Sequence, residues 1–209
     1  MNNTPKILCI CNQKIHANLH TDLLQNSEAI TIQLQDHHDI SIIEKIDGLI
    51  VCNNIQSSLK KVDPNILQNN IFRYVLDHNL PMVAISQGMI SLNNYLQKTK
   101  DPKQKTSTVQ LESKITEAFI TPGSRLAKSL STMGVIKVSS PQIPILTEHQ
   151  KDNSLLTSAY STKNRSVLAF ESMFHKWVLG ISFDLNSSEK INAHIYKMHS
   201  SLINQVINP

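Results

Sequence analysis

The stretch "PMVAISQGMISLNNYL", Pro81 to Leu96, puts a small polar side chain where chemistry can be done. The apolar run Pro81–Ile85 reads as a strand, Ser86 follows it, Gly88 comes two places later, and "MISLNNYL" has a helical pattern. A residue at such a strand–turn–helix junction takes a strained turn and projects from the carboxyl end of a sheet, and small neighbours permit that turn. The helix that begins there brings backbone N–H groups and the positive end of a dipole beside it. This is the layout of a nucleophile elbow, written here as A-I-S-Q-G with Ala84 in place of a first glycine. A serine hydroxyl in that position attacks only if an adjacent base takes its proton. Small-x-Ser-x-Gly alone is common, so the chemistry rests on what else reaches the junction.

The elements that must position Ser86 can be read along the chain. "KILCIC" (Lys6–Cys11), "AITIQL" (Ala29–Leu34), "DGLIVC" (Asp47–Cys52) and "PMVAIS" have the short apolar character of buried strands. Between them lie segments long enough for helices. The clearest is "DPNILQNNIFRYVLDHNL", with Ile66, Leu67, Ile71, Tyr74, Val75 and Leu76 on one side and Asp63-Pro64 as N-cap and first helical position. Strands alternating with helices predict a mostly parallel sheet covered on both faces. After about residue 98 the alternation stops, and "STVQLESKI", "VIKVSS", "LLTSAYST", "RSVLAFES" and "KWVLGISFD" read as antiparallel additions and hairpins. A last helix follows, capped by Ser187 or Ser188, with Glu189 in its first turn. Its apolar stripe is Ile191, Ile195, Met198, Leu202 and Val206.

Composition sets outer limits. The chain has 209 residues, 40% hydrophobic and 17% charged, which suits one well-filled globular domain spanning 1–209. No apolar run approaches the roughly 18–20 residues a membrane span needs. "MNNTPKILCICNQK" has too short an apolar stretch and no basic leader for a signal peptide, so a cytoplasmic location is expected. Cys9, Cys11 and Cys52 sit inside strand patterns without zinc-type spacing and read as buried structural thiols. No metal or other cofactor is expected. The net charge of +4 concentrates lysine in "QKTKDPKQKTST" (Gln97–Thr108), a loop by composition. No aromatic residues interleave there, so a solvated loop is favoured over a nucleic-acid surface.

The blocks "IDGLIVCNN", "IFRYVLDHNLPMVAISQGMISLNNYL", "ITPGSRLAKSL" and "VLGISFDLN" follow one another in an order that resembles class I glutamine amidotransferase-like proteins, specifically the gamma-glutamyl hydrolase (peptidase C26-like) branch. That branch has a D-G strand ending in P-G-G, an elbow of the form G-I-C-R-G-M-Q, then P-G-S-x-L, and finally G-V-Q-W-H-P-E. The resemblance runs from about residue 5 to 190, and Gly48, Gly88, Gly123 and Gly180, four of the five glycines, fall inside its blocks. It implies an α/β, flavodoxin-like, doubly wound and mostly parallel sheet, with helices on both faces and antiparallel additions in the C-terminal half.

Carried over residue by residue, the family's cysteine nucleophile falls on Ser86, its histidine on Asp184 and its glutamate on Asn186. The paired glycines that help form the oxyanion hole fall on Asn53 and Asn54, and the arginine after the nucleophile becomes Gln87, whose backbone N–H could still serve. A cysteine at a helix start ionises readily from a free pKa of about 8.5. A serine needs a base, and a carboxylate with a pKa of about 3.9 is a poor one. Loss of one triad member already costs orders of magnitude in rate. The resemblance therefore implies a retained scaffold without its catalytic set. Its cleft would take a glutamine, glutamate or gamma-glutamyl small molecule, or the chain would bind a protein partner. The alternative is an active hydrolase of this type that uses Ser86 with a non-standard base.

The nine histidines are the obvious substitutes. His175 is expected about 20 Å or more from the elbow, at the far end of the strand leading to Asp184. His149 falls in a loop of unassigned position. His194 and His199 are expected on the flanks of the last helix, at the surface or its boundary. His16, His20, His37, His38 and His78 have no partner pattern. An order Ser86, Asp184, His194 matches the chain order of α/β-hydrolase triads, but no HGGG-type oxyanion loop accompanies it.

Overall fold

A computed structural model describes residues 4–10, 30–33, 40–52, 64–98, 115–139, 146–183 and 189–208. The four early strands form where the apolar runs predict them: β1 (Lys6–Ile10), β2 (Ile30–Gln33), β3 (Gly48–Val51) and β4 (Met82–Ile85). Later come β5 (Ile115–Ile120), β6 (Gly134–Ser139), β7 (Leu155–Ser161), β8 (Val167–Ser172) and β9 (Val178–Ile181). All join one nine-stranded sheet in the order β2-β1-β3-β4-β9-β8-β7-β5-β6.

The first five strands of that order pair in parallel, with Leu8 opposite Leu49, Ile50 opposite Val83 and Ala84 opposite Gly180. The remaining four pair antiparallel. Parallel strands in the order 2-1-3-4 followed by a fifth are the flavodoxin-like winding. The antiparallel extension lies in the C-terminal half, as expected. Its strand β5 begins at Ile115, where "STVQLESKI" ends. The bulk of that segment, residues 107–114, lies outside the described residues.

Both sheet faces are covered because both alternate sets of strand side chains are apolar. Leu8, Ile10, Leu49, Val51, Met82 and Ala84 face helices α1 (Pro64–Asp77) and α2 (Gln87–Lys98). Ile7, Cys9, Ile50, Cys52, Val83 and Ile85 face α3 (Arg125–Leu130) and α4 (Glu189–Ile207). The two described cysteines are buried, as expected, and both lie on this second face of the sheet; Cys11 lies outside the described residues.

Helix α1 buries Leu67, Ile71, Phe72, Val75 and Leu76. Ile66, expected on the buried side, is instead 56% exposed. Phe72 takes part in the core in a way the predicted stripe did not include, and it meets Tyr95 of α2 at a ring-centroid distance of 5.6 Å. The helix stops at Asn79, whose φ of 52° ends the turn, while the Leu80 N–H donates to Val75 O at 2.9 Å. Asparagine tolerates this left-handed position better than most residues. At the other side of the sheet, Met198, Leu202 and Ile203 of α4 are buried, which places that helix on the sheet as its stripe predicts.

Gly180 lies in the middle of β9, where the chain passes under an aromatic ring. A Cβ there would come within 2.4 Å of the Phe170 ring and 3.0 Å of Met89 Cγ. Forcing that methyl into a filled core costs about 1–3 kcal/mol. Gly180→Ala is therefore expected to lower the unfolding free energy by that amount, seen as a lower urea midpoint with an unchanged m-value; an unaffected midpoint would show that the ring can move aside.

Candidate functional site

The elbow is present. β4 ends at Ile85, α2 starts at Gln87, and Ser86 between them has φ 54°, a left-handed conformation in a residue that carries a Cβ. Such a position costs roughly 1–2 kcal/mol. Two backbone hydrogen bonds hold it. The Ser86 N–H donates to Ile181 O at 2.7 Å, which extends the β4–β9 ladder one step past the strand. The Gly88 N–H donates to Cys52 O at 3.2 Å, which ties the first turn of α2 to the end of β3.

Gly88 is required by that second contact. A Cβ at Gly88 would sit 2.1 Å from Val51 O and 2.8 Å from Val51 C, both backbone atoms. The helix can approach β3 this closely only without a side chain there. The Met89 N–H donates to Ser86 O at 3.1 Å, so Ser86 already accepts a helical-turn bond from α2. Ser86 and Gln87 are both partly exposed at this carboxyl edge of the sheet.

The two strands that grip the elbow are those whose continuations carry the other expected site residues. Cys52 is followed directly by Asn53 and Asn54, and the described chain after β9 ends at Phe183, one residue before Asp184. Asn53, Asn54, Asp184 and Asn186 themselves lie outside the described residues. Among the described residues, none makes a hydrogen bond with Ser86 Oγ.

Two described histidines, His175 and His78, are engaged by other groups. His175 lies in the turn between β8 and β9, before the first parallel pair Met82–Val178, and so at the opposite end of the sheet from Ser86. Its Nδ1 is 2.7 Å from Ser172 Oγ. His149 is exposed in a short 3₁₀ turn, Glu148–Gln150. His78 Nδ1 lies 2.8 Å from Tyr74 O, at the end of α1. His194 is half-buried on α4, consistent with the boundary position expected for it. His199 departs from that expectation: it is 3% exposed, packed among Ile50, Val83, Ile85 and Leu202 under the sheet. The stripe of α4 is wider than the five residues read from the sequence, so a histidine beside it is enclosed. His16, His20, His37 and His38 lie outside the described residues.

Asn93 is the polar side chain near the elbow that sequence reasoning missed. It is fully buried on α2. Its Nδ2 donates to Gln150 O at 2.9 Å, and its Oδ1 accepts from the Asp152 N–H at 2.8 Å. One side chain thus fastens the elbow helix to the segment that leads into β7. The only signal in the sequence is an amide on the apolar side of a helix, which is too common to single out. Among the described residues, no group of three or more His, Cys, Asp or Glu side chains could hold a metal ion. No described helix is long and apolar enough to cross a membrane.

No protein-family model and no curated protein sequence matches this chain. Solved structures do. A protein assigned to GMP synthase as one of its subunits, from Thermoplasma acidophilum, matches with a TM-score of 0.69 at 13% identity, over 98% of this chain and 96% of that one. The glutaminase domain of Trypanosoma brucei CTPS, with bound acivicin, matches with a TM-score of 0.71 at 10% identity, over 98% and 94%. A glutamine amidotransferase from Thermotoga maritima matches with a TM-score of 0.66 at 9% identity, over the whole of both chains. The chain has a glutamine amidotransferase-like fold.

Two measurements test this geometry. Ser86→Gly removes the Cβ strain at the elbow and is expected to raise stability by about 0.5–1 kcal/mol, while Ser86→Val lowers it, since a β-branched residue fits the left-handed region worst. Equal stabilities for all three would mean that the turn is not strained. The second concerns pH. Burial, and then the charge of Arg125, hold His175 below its usual range, although Asp77 pulls it the other way; burial and Lys197 lower His194. A histidine harder to protonate in the folded state gives stability that is full above about pH 6.5 and lost as pH falls through the lowered value. Unfolding free energy is expected to decline on acidification below about pH 6.5, and less steeply in a His175→Gln, His194→Gln variant.

Proposed function

We propose that this chain is a glutamine amidotransferase-like protein of the gamma-glutamyl hydrolase branch that has lost amide hydrolysis and keeps the elbow cleft for binding. The observation that carries the reading is the pairing of the elbow with β9. The strand whose Ile181 carbonyl receives the Ser86 N–H continues into Phe183-Asp184-Leu185-Asn186, a segment without a histidine or a glutamate. The second neighbouring strand continues into Asn53-Asn54 rather than a pair of glycines. Without a base of suitable pKa, a serine hydroxyl stays protonated and does not attack an amide.

The cleft is still suited to a ligand. It sits at a helix start, where N–H groups and the helix dipole favour a carboxylate. One neighbour of the same fold is a glutaminase domain with acivicin bound, which supports a small molecule as the ligand. Another is assigned as a synthase subunit, which supports a partner protein as the second kind of occupant. A glutamine, glutamate or gamma-glutamyl compound is the ligand we favour, with the whole chain acting as one domain.

The positive φ of Ser86 favours one competing reading. A strained serine at a strand–helix junction is what an active elbow also presents. Under that reading the protein is a hydrolase of the same type that uses Ser86 with a non-standard base. Incubation with gamma-glutamyl anilides and with a fluorophosphonate probe separates the two. The binding reading expects neither turnover nor labelling, together with a thermal shift on adding glutamine, glutamate or a gamma-glutamyl peptide. Turnover or labelling that vanishes in Ser86→Ala would overturn it in favour of the hydrolase.

A further inference from the structure

At the end of the sheet opposite the elbow, three segments far apart in the chain line an open cavity of about 310 Å³. Helix α3 contributes Arg125 and Lys128, the β8–β9 turn contributes Lys176 and Trp177, and α4 contributes Ser201 and Asn204 among others. Three of these side chains are cationic, and no carboxylate is among the lining residues described. Trp177 precedes β9, whereas the elbow follows the opposite end of the paired β4. The two sites are therefore separated by the length of a four-residue strand, about 13 Å.

The cavity is built on fixed supports. The guanidinium of Arg125 donates through Nη1 to Ser172 O, and the Arg125 backbone N–H donates to Glu171 Oε2 at 2.8 Å. That guanidinium carries five N–H donors, so others remain for a ligand. The Lys176 N–H is held by Asn79 Oδ1 at 2.9 Å, and Trp177 O accepts from the Met82 N–H at 2.9 Å. Trp177 is 5% exposed and forms an apolar wall rather than a stacking platform. The Lys197 Nζ donates to Leu130 O at 3.2 Å, placing a further positive charge at the end of α3. Among the described residues, neither Lys128 nor Lys176 has an ion-pair partner, and both side chains are exposed.

Like charges gathered around one concavity repel one another, and an anion bound between them relieves that repulsion while gaining charge-assisted hydrogen bonds. Guanidinium, ammonium, hydroxyl and amide groups together can satisfy the several oxygens of a phosphate group, whereas a single carboxylate would leave some of them unused. A cavity near 310 Å³ lies at the small end of ligand sites, the size for a compact molecule. We propose that this cavity is a binding site for a small phosphate-bearing molecule, held by Arg125, Lys128 and Lys176 and independent of the elbow.

Titration calorimetry of the full chain with inorganic phosphate and with pyrophosphate, at constant ionic strength, tests the proposal. Saturable binding is expected, with pyrophosphate the tighter. A Lys128→Gln, Lys176→Gln variant should weaken it by at least about tenfold, because two charge-assisted contacts are lost. Lys137→Gln, Lys163→Gln removes the same net charge from exposed lysines outside the cavity and should leave the affinity unchanged. Absence of saturable binding at millimolar phosphate and pyrophosphate would overturn the proposal. So would equal weakening in both double variants, which would mean that only net charge matters. Binding of a single-stranded oligonucleotide that depends on Lys128 and Lys176, without binding of either phosphate compound, would reassign the surface to nucleic acid. All four lysines are exposed, so these variants are expected to fold, and circular dichroism of each checks it.

Discussion

The closeness of α2 to β3 is the constraint on which the rest of the carboxyl edge depends. With no side chain at Gly88, the helix start comes down onto the Val51–Cys52 backbone, and the Gly88 N–H reaches Cys52 O. Just before this contact, the chain passes through φ 54° at Ser86. The second tie, from the Ser86 N–H to Ile181 O, locks the same residue against β9. An elbow gripped by the strands on either side resists relaxation whatever its side chain does. Its strain is sustained by buried packing, where Met89 and Leu92 of α2 are fully enclosed.

Shape and chemistry place different demands on such an elbow. The shape depends on a glycine, a parallel pair of strands and a helix, all of which are in place. The chemistry of the resembled family depends on a proton acceptor of intermediate pKa, and the proposed function puts Asp184 at its position. His175 is engaged with Ser172 in a turn at the opposite edge, and His199 fills space beneath Val83 and Ile85. A binding cleft needs only the geometry, and that difference is the physical content of the proposed function.

Much of this architecture was legible because apolar strands are short and distinct. The runs ending at Ile10, Val51 and Ile85 could hardly be anything else once helical segments separated them. The elbow was legible for the same reason: strand, small residue, glycine and helix occur there in sequence. Other features depended on distant partners. Ile66 belongs to the apolar period of α1 but lies at its margin, where a neighbouring element rather than the period decides burial. The five-residue stripe of α4 gave no warning that His199 would be enclosed. Asn93 and the cavity lined by Arg125, Lys128 and Lys176 leave no local trace, because their partners come from other parts of the chain. The asparagines and the aspartate expected at the site lie outside the described residues.

The position of β9 has a consequence for how the molecule forms. It is the last of the nine described strands, yet it stands in the middle of the sheet, joining the parallel half through β4 to the antiparallel half through β8. A growing chain that has made only its first eight strands has two half-sheets, each with an open edge where β9 belongs. Exposed edges of this kind invite pairing with other chains. Closure of the sheet must await a contact between segments far apart in the sequence, which makes folding slow relative to its local helices. Insertion of β9 also delivers the Ile181 carbonyl to Ser86, so the elbow acquires its final grip in the same step that joins the two halves.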